Sequence, residues 1–409
     1  MIASQSAKAA LLAAATLASM TLPATASSGT VSSAPGHPEV RRVLDRTVAA
    51  KLAPGMVADV RDGRRSWFGS AGVSDTGTGR ERRRNERFRI GSASKAFTAT
   101  VVLKLAAEGR LSLDDTLDEY LPGLFDGSAY EPGRITVRQL LNQTSGIYAY
   151  SDDPAFFATG VGPAWFEHRY DTHTPEELVR IALAHPPTGE PGERFKYSNT
   201  NYILAAMIVE KAAGRTFERE LIRTVIRPLR LTGTSLPRTD PGIRGPHPVH
   251  YSILFSRDPR PTIHDATRMN QSFAWSAGGV ISTTADLNRF FAALFGGRVL
   301  PPAQLREMLT TVPTEGANWI PGTRYGLGVF EQELPCGTSV WGNAGATYGS
   351  WSYAMGTRDG EHRLTTQING DWAPLSVFTD ALAAEFCPAG TSRDADRVLP
   401  PLLGGGRPA

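Results

Sequence analysis

Strand-like segments occur near both ends of this chain, and a long helical stretch separates them. Short alternating segments such as MVADVRDG precede the helical stretch, and segments such as SWSYAMG follow it. This order of strand-like and helical segments is typical of an α/β domain that contains an insertion. We therefore predict an α/β domain formed by residues 38–115 and 271–390, interrupted by a mostly helical domain at residues 116–270.

The two termini differ in composition from the rest of the chain. A basic residue is followed by the apolar run AALLAAATLASMTL, and the small residues Ala24 and Ala26 precede a possible cleavage point. Residues 1–26 are therefore predicted to be an export signal, and the apolar run is too short to be a transmembrane anchor. Residues 27–37 are predicted to form a flexible leader and residues 391–409 a flexible tail. We expect a secreted protein.

Composition and charge exclude several classes of protein. The chain has 409 residues, of which 41% are hydrophobic and 20% are charged, as in soluble globular proteins. A formal net charge of +3 is too mild to predict binding to nucleic acid. Six arginines lie between residues 80 and 89, but two glutamates interrupt them, so we expect a solvated loop or strand edge.

Metal and cofactor sites are not indicated by the sequence. His247 and His250 are close in sequence, but no third histidine or carboxylate lies beside them, and the chain has no C-x-x-C motif. We predict no metal and no cofactor. The expected partner is a small-molecule or peptide substrate, and the expected assembly is a monomer.

A serine and a lysine lie three residues apart in RIGSASKAFTA, at Ser92 and Lys95. The chain contains only six lysines among 43 basic residues, so lysine is the unusual choice wherever a positive charge alone is needed. A desolvated lysine can lose its proton and act as a base, which arginine cannot do. If Ser92 opens a helix, the two side chains lie on the same face. Serine is also a preferred helix N-cap, so the spacing alone leaves both interpretations open.

A second polar group precedes a helix in the inserted part of the chain. Tyr197, Ser198 and Asn199 stand at the start of the segment YSNTNYILAAMIVEKAAG. A tyrosine whose phenolate is favoured by a neighbouring ammonium could share proton transfer with Lys95. Without that partner, the same residues would be an ordinary helix cap after a loop.

Together these motifs resemble those of the penicillin-recognising serine hydrolases. The chain is most similar to secreted D-alanyl-D-alanine carboxypeptidases and class C β-lactamases, whose first two motifs are S-x-x-K and Y-x-N. Further landmarks follow in the family's order over almost all of the mature chain, in EGRLSLDDTLDEYLPGL, ITVRQLLNQTSGI, SAGGVISTTADLNRFF and YGLGV. The resemblance implies an antiparallel sheet flanked by helices with an inserted mostly helical domain, the β-lactamase/transpeptidase fold.

The resemblance also implies roles for four residues. Ser92 would be the nucleophile and Lys95 its activator. Tyr197 would relay the proton to the leaving group, and Asn199 would orient the lysine and the substrate. Acyl transfer through a covalent intermediate divides one difficult step into two easier ones.

Two cysteines, Cys336 and Cys387, fit an oxidising destination, where a pair can close a loop near the C-terminus. A pair of buried thiols is the alternative. By the resemblance, they occupy the positions of the single disulfide of the secreted carboxypeptidases, and we predict that they are bonded.

The third motif of the family, K-T-G or H-T-G, is altered here. The matching stretch has Asn343 in place of the basic residue and Ala344 in place of threonine, and only Gly345 remains. The threonine just past the motif is replaced by Ala346, and Phe330 stands where the nearest carboxypeptidases have an arginine. A further departure is Gln143, where the family often has histidine in LLxHTSG.

These departures affect substrate recognition more than chemistry. Ala346 supplies a backbone N–H to an oxyanion as well as threonine does, and Gly345 allows close backbone approach. The replacements at Asn343, Ala346 and Phe330 remove groups that would bind a free carboxylate. Phe330, with Trp341, Tyr348 and Trp351 nearby, would suit an apolar or aromatic leaving group instead.

We therefore expect a secreted serine acyl hydrolase that cleaves an amide or ester through an acyl-enzyme on Ser92. An acyltransferase, cyclase or esterase on the same site is the first alternative, and the products formed with an added nucleophile would distinguish it. A non-catalytic binding protein is the second alternative, because the fold alone does not establish activity.

Overall fold

The computed structural model of the protein describes residues 36–317 and 319–388. The predicted export signal, most of the predicted leader and the predicted tail lie outside these residues. No helix in the described part of the chain has the length and hydropathy needed to cross a membrane.

The described chain contains helices and strands in the order that the sequence predicts. The α-helices are α1 (Pro38–Ala49), α2 (Ser94–Ala107), α3 (Leu117–Tyr120), α4 (Val137–Leu141), α5 (Pro154–Thr159), α6 (Ala164–His168), α7 (Pro175–Leu183), α8 (Asn199–Ala213), α9 (Phe217–Leu221), α10 (Trp275–Gly278), α11 (Thr284–Phe295), α12 (Pro302–Met308) and α13 (Ser376–Phe386). The strands are β1 (Gly55–Asp62), β2 (Arg65–Asp75), β3 (Arg80–Glu81), β4 (Phe88–Arg89), β5 (Tyr251–Ser252), β6 (His264–Asp265), β7 (Ile281–Ser282), β8 (Val312–Pro313), β9 (Thr323–Tyr325), β10 (Phe330–Glu333), β11 (Ser339–Thr347), β12 (Ser350–Gly356) and β13 (His362–Ile368).

Nine strands form one antiparallel sheet in the order β3-β2-β1-β13-β12-β11-β10-β9-β8. The strand β1 pairs with β13 in a register that places Met56 opposite Ile368. The first and last parts of the chain therefore meet in the middle of the sheet, and the predicted antiparallel α/β fold is confirmed. Helices α3 to α9 all lie within residues 116–270, although the exact domain boundaries stay a prediction.

Helices cover both faces of the sheet. On one face α1 and α13 pack against each other and against the strands, around a buried core that includes Val40, Met56 and Phe378. On the other face α11 packs against β1, β12 and β13. Every residue of β12 is buried, on both faces of the strand, as expected where helices cover both sides of the sheet.

Two buried helices, α2 and α8, form the centre of the second core. Helix α8 is buried on all sides from residue 200 to residue 209, and Ile203, Leu204 and Ile208 are fully buried. Each such side chain contributes about 1.5–3 kcal/mol when it is removed from water. Gly214 ends α8 with φ 63°, a left-handed conformation that favours glycine. Because α2 packs directly on α8, the residues at the starts of the two helices are brought together.

The arginine-rich stretch at residues 80–89 agrees in part with the predicted solvated loop or strand edge, since β3 lies at the edge of the sheet and Arg80, Arg83 and Arg84 are exposed, but two of its arginines are buried. Arg82 is buried, and it donates to Oε2 of Glu86 at 2.7 Å and to the carbonyl of Gly55 at 3.1 Å. Arg89 is fully buried, and it donates to three backbone carbonyls. These two arginines join distant loops, since only a long cationic donor can satisfy several buried carbonyls at once.

Cys336 and Cys387 form the predicted disulfide. It joins the segment after β10 to the end of α13, across a sequence separation of 51 residues.

Candidate active site

Ser92 lies in a 3-10 turn, Gly91–Ala93, immediately before α2. The residue that caps α2 is Ala93, so Ser92 is not the helix cap that one interpretation of the sequence allowed. Gly91 has φ 51°, and a side chain there would collide with the backbone of Ala346, whose atoms lie within 2.6–2.8 Å of the position of an added Cβ. The turn therefore holds Ser92 against strand β11.

Lys95 lies three residues beyond Ser92, nearly one helical turn, and is fully buried. Its Nζ is 3.2 Å from Oγ of Ser92, 2.8 Å from Oδ1 of Asn199 and 2.9 Å from the carbonyl oxygen of Ala277. Among the described residues, no carboxylate forms an ion pair with this amine. The lysine is therefore held by neutral acceptors alone.

Tyr197 and Asn199 reach the same point from the start of α8. The hydroxyl of Tyr197 donates to Oγ of Ser92 at 2.7 Å. Nζ of Lys95 lies 4.7 Å from the centroid of the Tyr197 ring. The structure thus brings together all four residues that the sequence proposes for catalysis.

Burial sets the protonation states of this group. Desolvation lowers the pKa of Lys95 well below its usual value and raises the pKa of Tyr197 well above its usual value. Both shifts favour a neutral amine beside a neutral phenol, which differs from the phenolate considered from the sequence. In an apolar environment a neutral amine and a neutral phenol have a lower free energy than an ammonium and a phenolate.

The hydrogen bonds are consistent with a neutral amine. A neutral Lys95 has two N–H groups and one lone pair, and its three neighbours are two carbonyl-type oxygens and one hydroxyl. The N–H groups satisfy Asn199 and Ala277, which leaves the lone pair for the hydroxyl proton of Ser92. Ser92 in turn accepts the hydroxyl proton of Tyr197. Every donor and acceptor then has a partner.

Two further residues hold this arrangement in place. Nδ2 of Asn199 donates to Oγ of Ser151 at 3.0 Å. Oε1 of Gln143 accepts from the backbone N–H of Ser198 at 3.0 Å. The backbone of Gln143 has φ 66°, which is unusual for a residue other than glycine. The sequence marked Gln143 only as a departure from the family pattern, and nothing in it indicated Ser151.

Trp319 packs on Tyr197 and was not predicted. Its indole stacks on the ring of Tyr197 with a centroid distance of 4.6 Å and an interplanar angle of 20°. Phe195 and Tyr325 contact the same indole. In the sequence Trp319 is only an aromatic residue in the segment between β8 and β9, and its position there does not indicate that it contacts Tyr197.

Gly345 and Ala346 lie beside Ser92, where the sequence places them. A Cβ on Gly345 would lie 1.9 Å from the carbonyl oxygen of Ile90 and 2.6 Å from the backbone nitrogen of Ser92. Only glycine therefore lets β11 approach the Ser92 turn so closely. Ala346 follows on the strand and lines the cavity above Ser92.

Asn343 and Phe330 do not line this cavity, which corrects their predicted contact with substrate. The side chain of Asn343 is buried, donates to the carbonyl of Gly328 at 2.7 Å and accepts from the backbone of Ala344. Phe330 is buried on the α1–α13 side of the sheet and contacts Tyr353 edge-on. Strand residues alternate between the two faces, so a position close in sequence to the site can point away from it.

The aromatic surroundings also differ from those expected. Trp341 and Trp351 are buried core residues, whereas Tyr348 does line the cavity. The cavity has a volume of about 170 Å³. Besides Tyr197 and Tyr348, the tyrosine, phenylalanine and tryptophan rings that line it are those of Tyr150, Phe156, Phe157, Trp165, Phe255 and Phe273. These rings come mainly from the α5–α6 segment and the loops near residues 255 and 273, which the sequence did not connect with the site.

The mouth of the cavity is polar. The polar residues that line this part of the cavity are His168, Arg169, Asp171 and His173. Nδ1 of His168 is 2.7 Å from Oδ2 of Asp171. Among the described residues, no group of three or more histidine, cysteine, aspartate or glutamate side chains is arranged to hold a metal ion. The groups that meet beneath the cavity are the hydroxyl of Ser92, the amine of Lys95 and the phenol of Tyr197.

Comparisons with known proteins agree with this geometry. The family model described as Beta-lactamase matches residues 40–365. Protein flp of Staphylococcus aureus strain COL is 30% identical over 154 residues, which are 38% of this chain and 29% of that protein. Penicillin-binding protein 4* of Bacillus subtilis strain 168 is 27% identical over 285 residues, which are 65% of this chain and 57% of that protein. The chain thus spans less than two thirds of the length of these curated relatives.

A solved structure is similar over a larger share of both chains. The D-stereospecific amidohydrolase from Streptomyces sp. is 45% identical, with a TM-score of 0.80, and the match covers 86% of this chain and 99% of that one. The chain therefore belongs to the Beta-lactamase family, whose superfamily includes β-lactamases and penicillin-binding proteins.

Proposed function

We propose that this protein is a secreted D-stereospecific amidohydrolase, which cleaves amides or esters of D-configured acyl groups through an acyl-enzyme on Ser92. The observation that carries the proposal is the hydrogen-bonded group of Ser92, Lys95, Tyr197 and Asn199 beneath the aromatic cavity. The 45% identity to the Streptomyces amidohydrolase supports the choice of substrate configuration. The composition of residues 1–26 supports secretion.

Acylation begins with the transfer of the Ser92 hydroxyl proton to the lone pair of Lys95. Oγ of Ser92 forms a bond to the carbonyl carbon of the substrate, and a tetrahedral oxyanion results. The leaving nitrogen or oxygen takes the hydroxyl proton of Tyr197 as its bond to carbon breaks. Tyr197 then recovers a proton from the Lys95 ammonium. Water repeats the sequence on the acyl-enzyme and releases the acid.

The oxyanion would be stabilised by the backbone N–H groups of Ser92 and Ala346. The Gly345 contact brings their two segments together. Fixed backbone donors of this kind lower the barrier by about 2.7–4 kcal/mol for each donor. The replacement of threonine by Ala346 leaves this backbone group in place, so the altered third motif is compatible with turnover.

The cavity favours an apolar or aromatic acyl group. Phe156, Trp165 and Tyr348 are among the rings that surround it, and an aromatic side chain packed between such rings gains about 0.5–1.5 kcal/mol for each pair beyond burial. D-phenylalanine derivatives are therefore suitable test substrates. The altered third motif favours neutral amides and esters over peptides with a free terminal carboxylate.

The function is tested by two measurements on the same preparation. Intact-mass analysis after treatment with a fluorophosphonate should show one adduct in the wild-type protein and none in Ser92→Ala. A matched control, Ser70→Ala in strand β2, should label normally. Absence of the wild-type adduct would exclude the proposed nucleophile.

Stereospecificity is measured separately as kcat/KM for D- and L-phenylalanine amide and methyl ester. We expect at least a tenfold preference for the D-substrates, which corresponds to about 1.4 kcal/mol. Equal or reversed preference would reject the D-specific assignment while leaving the acyl-enzyme chemistry standing. Added amines reveal whether acyl transfer accompanies hydrolysis.

A further inference from the structure

A hollow lined by arginines lies beside the hairpin that joins β1 and β2, apart from the cavity above Ser92. Its volume is about 580 Å³. Five guanidinium groups line it, those of Arg61, Arg64, Arg65, Arg84 and Arg289. We call it the basic hollow, and none of the residues that line the Ser92 cavity belongs to it.

Four of these five arginines form no ion pair among the residues that the structure describes. The one carboxylate in the lining is Asp59, which is buried and accepts from Nε and Nη2 of Arg84 at 2.9 and 2.8 Å. Thr284 also donates to Asp59, at 3.0 Å. The other four arginines form no ion pair within the described part of the chain, where Arg61 donates to the carbonyl of Gly63 and Arg289 to a backbone carbonyl. Four arginines without an ion-pair partner among the described residues therefore line one concave surface.

The first turn of α11 adds to the positive potential. Ala285 lines the basic hollow, and it belongs to the first turn of this 12-residue helix. The first N–H groups of a helix carry the positive end of its dipole, which attracts anions. Asp286 in the same turn is directed elsewhere, because its Oδ2 accepts from Gly233 and Thr234.

The shape and composition favour a soluble anion over a membrane. The large hydrophobic side chains that are exposed in the described chain, such as Phe157, Phe166 and Ile222, all lie outside the basic hollow. A bilayer is flat on this scale and would meet only the rim of a concave surface. Interfacial membrane binding also relies on apolar side chains beside the cations.

We propose that the basic hollow binds a soluble polyanion that carries closely spaced phosphate groups. The planar guanidinium presents a fork of N–H groups that matches phosphate oxygens, and the N–H groups that these four arginines do not use on backbone carbonyls can contact successive phosphates. The hollow is separate from Ser92, so this binding is independent of hydrolysis.

Titration calorimetry with inorganic tripolyphosphate tests the proposal on the full-length chain. We expect binding whose Kd rises with salt, and at least a tenfold weaker Kd in the double variant Arg64→Gln/Arg289→Gln. The salt slope of log Kd should fall by roughly one for each arginine removed. Arg298→Gln/Arg306→Gln is a control with the same charge change, and it should bind as the wild type does. Amide turnover should be unchanged in both variants.

Three outcomes would overturn the proposal. Equal tripolyphosphate affinity in the Arg64→Gln/Arg289→Gln variant and the wild type would show that the anion binds elsewhere or only by net charge. Equally tight binding of polyglutamate of the same charge would exclude selectivity for phosphate. Binding to phosphatidylglycerol vesicles without binding to tripolyphosphate would identify a membrane surface instead.

Discussion

The hydroxyl of Tyr197 donates a 2.7 Å hydrogen bond to Oγ of Ser92. The same oxygen lies 3.2 Å from Nζ of Lys95, so the proposed nucleophile is placed between a phenol that donates a proton and an amine that can accept one. This arrangement is poised for transfer only while the lysine is neutral. The burial of Lys95 favours that condition, because desolvation lowers the pKa of its amine and no carboxylate of the described chain pairs with it.

The first prediction concerns pH and the charge of Lys95. Because desolvation lowers the pKa of Lys95, the neutral amine should dominate at a pH well below its ordinary pKa of 10.5. Activity requires the deprotonated form, so kcat/KM should rise with pH and reach its plateau well below pH 10.5. Lys95→Arg keeps a positive charge but cannot release a proton, and it should lose about 10²–10⁴-fold in kcat/KM.

A pH–rate profile and single-turnover acylation of both proteins provide the test. Near-normal turnover by Lys95→Arg at neutral pH would show that the lysine acts only through its charge.

The second prediction concerns Trp319. Its indole covers the ring of Tyr197, so Trp319→Ala should let water reach the tyrosine and the nearby Lys95. We expect kcat to fall about tenfold with a smaller change in KM, while Trp319→Phe keeps most of the activity because the stacking partner remains. With less desolvation, the pKa of Lys95 should rise toward its ordinary value, and the rising limb of the pH profile should move to higher pH.

The control for Trp319 is Trp67→Ala, which removes an indole that contacts His37 far from the cavity. An unchanged pH profile in Trp319→Ala would assign the residue to packing alone.

These contacts show which parts of the site can be predicted from sequence. Ser92 and Lys95 are three residues apart, and local helical geometry alone brings them together. Tyr197 and Asn199 lie about a hundred residues away, so their place in the site followed from the family resemblance and not from local pattern. The contact between Lys95 and the backbone carbonyl of Ala277 could not be predicted from the sequence, because every residue has a carbonyl group.

The contacts that were predicted wrongly from the sequence also have a physical explanation. Phe330 was expected beside the substrate, yet strand alternation and pairing opposite Tyr325 and Gly342 bury its ring in the sheet core. The overall fold was more predictable, since the buried runs of β12 and α8 each require cover on all sides. The loops that supply the cavity aromatics have no periodic pattern that could reveal their position.

The third prediction concerns the close approach at Gly345. In Gly345→Ala the new methyl group would lie 1.9 Å from the carbonyl oxygen of Ile90, so strand β11 must move away from Ser92. The two proposed oxyanion donors would separate, and fluorophosphonate labelling should slow at least 100-fold. Gly77→Ala is the matched control, since its added Cβ would contact only the end of Asp75 at 3.3 Å.

Thermal unfolding of Gly345→Ala distinguishes a local shift from loss of the fold. Labelling at the wild-type rate by the folded variant would contradict the proposed role of this contact.

The fourth prediction concerns the disulfide. A crosslink over a separation of 51 residues reduces the entropy of the unfolded chain, which corresponds to about 4 kcal/mol in the chain-entropy model. Cys336→Ser/Cys387→Ser should lose roughly this free energy of unfolding in urea. Neither cysteine lines the Ser92 cavity, so kcat/KM at 25 °C should stay within about twofold. A large loss of activity without loss of stability would contradict this separation.

The last prediction concerns substrate choice. Asn343 uses its side chain within the sheet, and Ala346 offers no hydroxyl, so neither can bind a carboxylate beside the scissile bond. A carboxylate brought there would lose water without gaining a charged partner, which is unfavourable by several kcal/mol. The arginine that does line the cavity is Arg169, whose guanidinium lies over the rings of Trp165 and Tyr170 at the mouth.

We therefore expect kcat/KM to be higher for D-alanyl-D-alanine peptides with an amidated or esterified terminus than for the same peptides as free acids. β-Lactams, which also carry a carboxylate, should acylate Ser92 slowly. The comparison is repeated in Arg169→Gln, where the ratio between blocked and free peptides should be unchanged. A tenfold preference for the free acid, about 1.4 kcal/mol, would contradict the prediction. Loss of that preference in Arg169→Gln would then identify Arg169 as the cation that replaces the missing residues of the third motif.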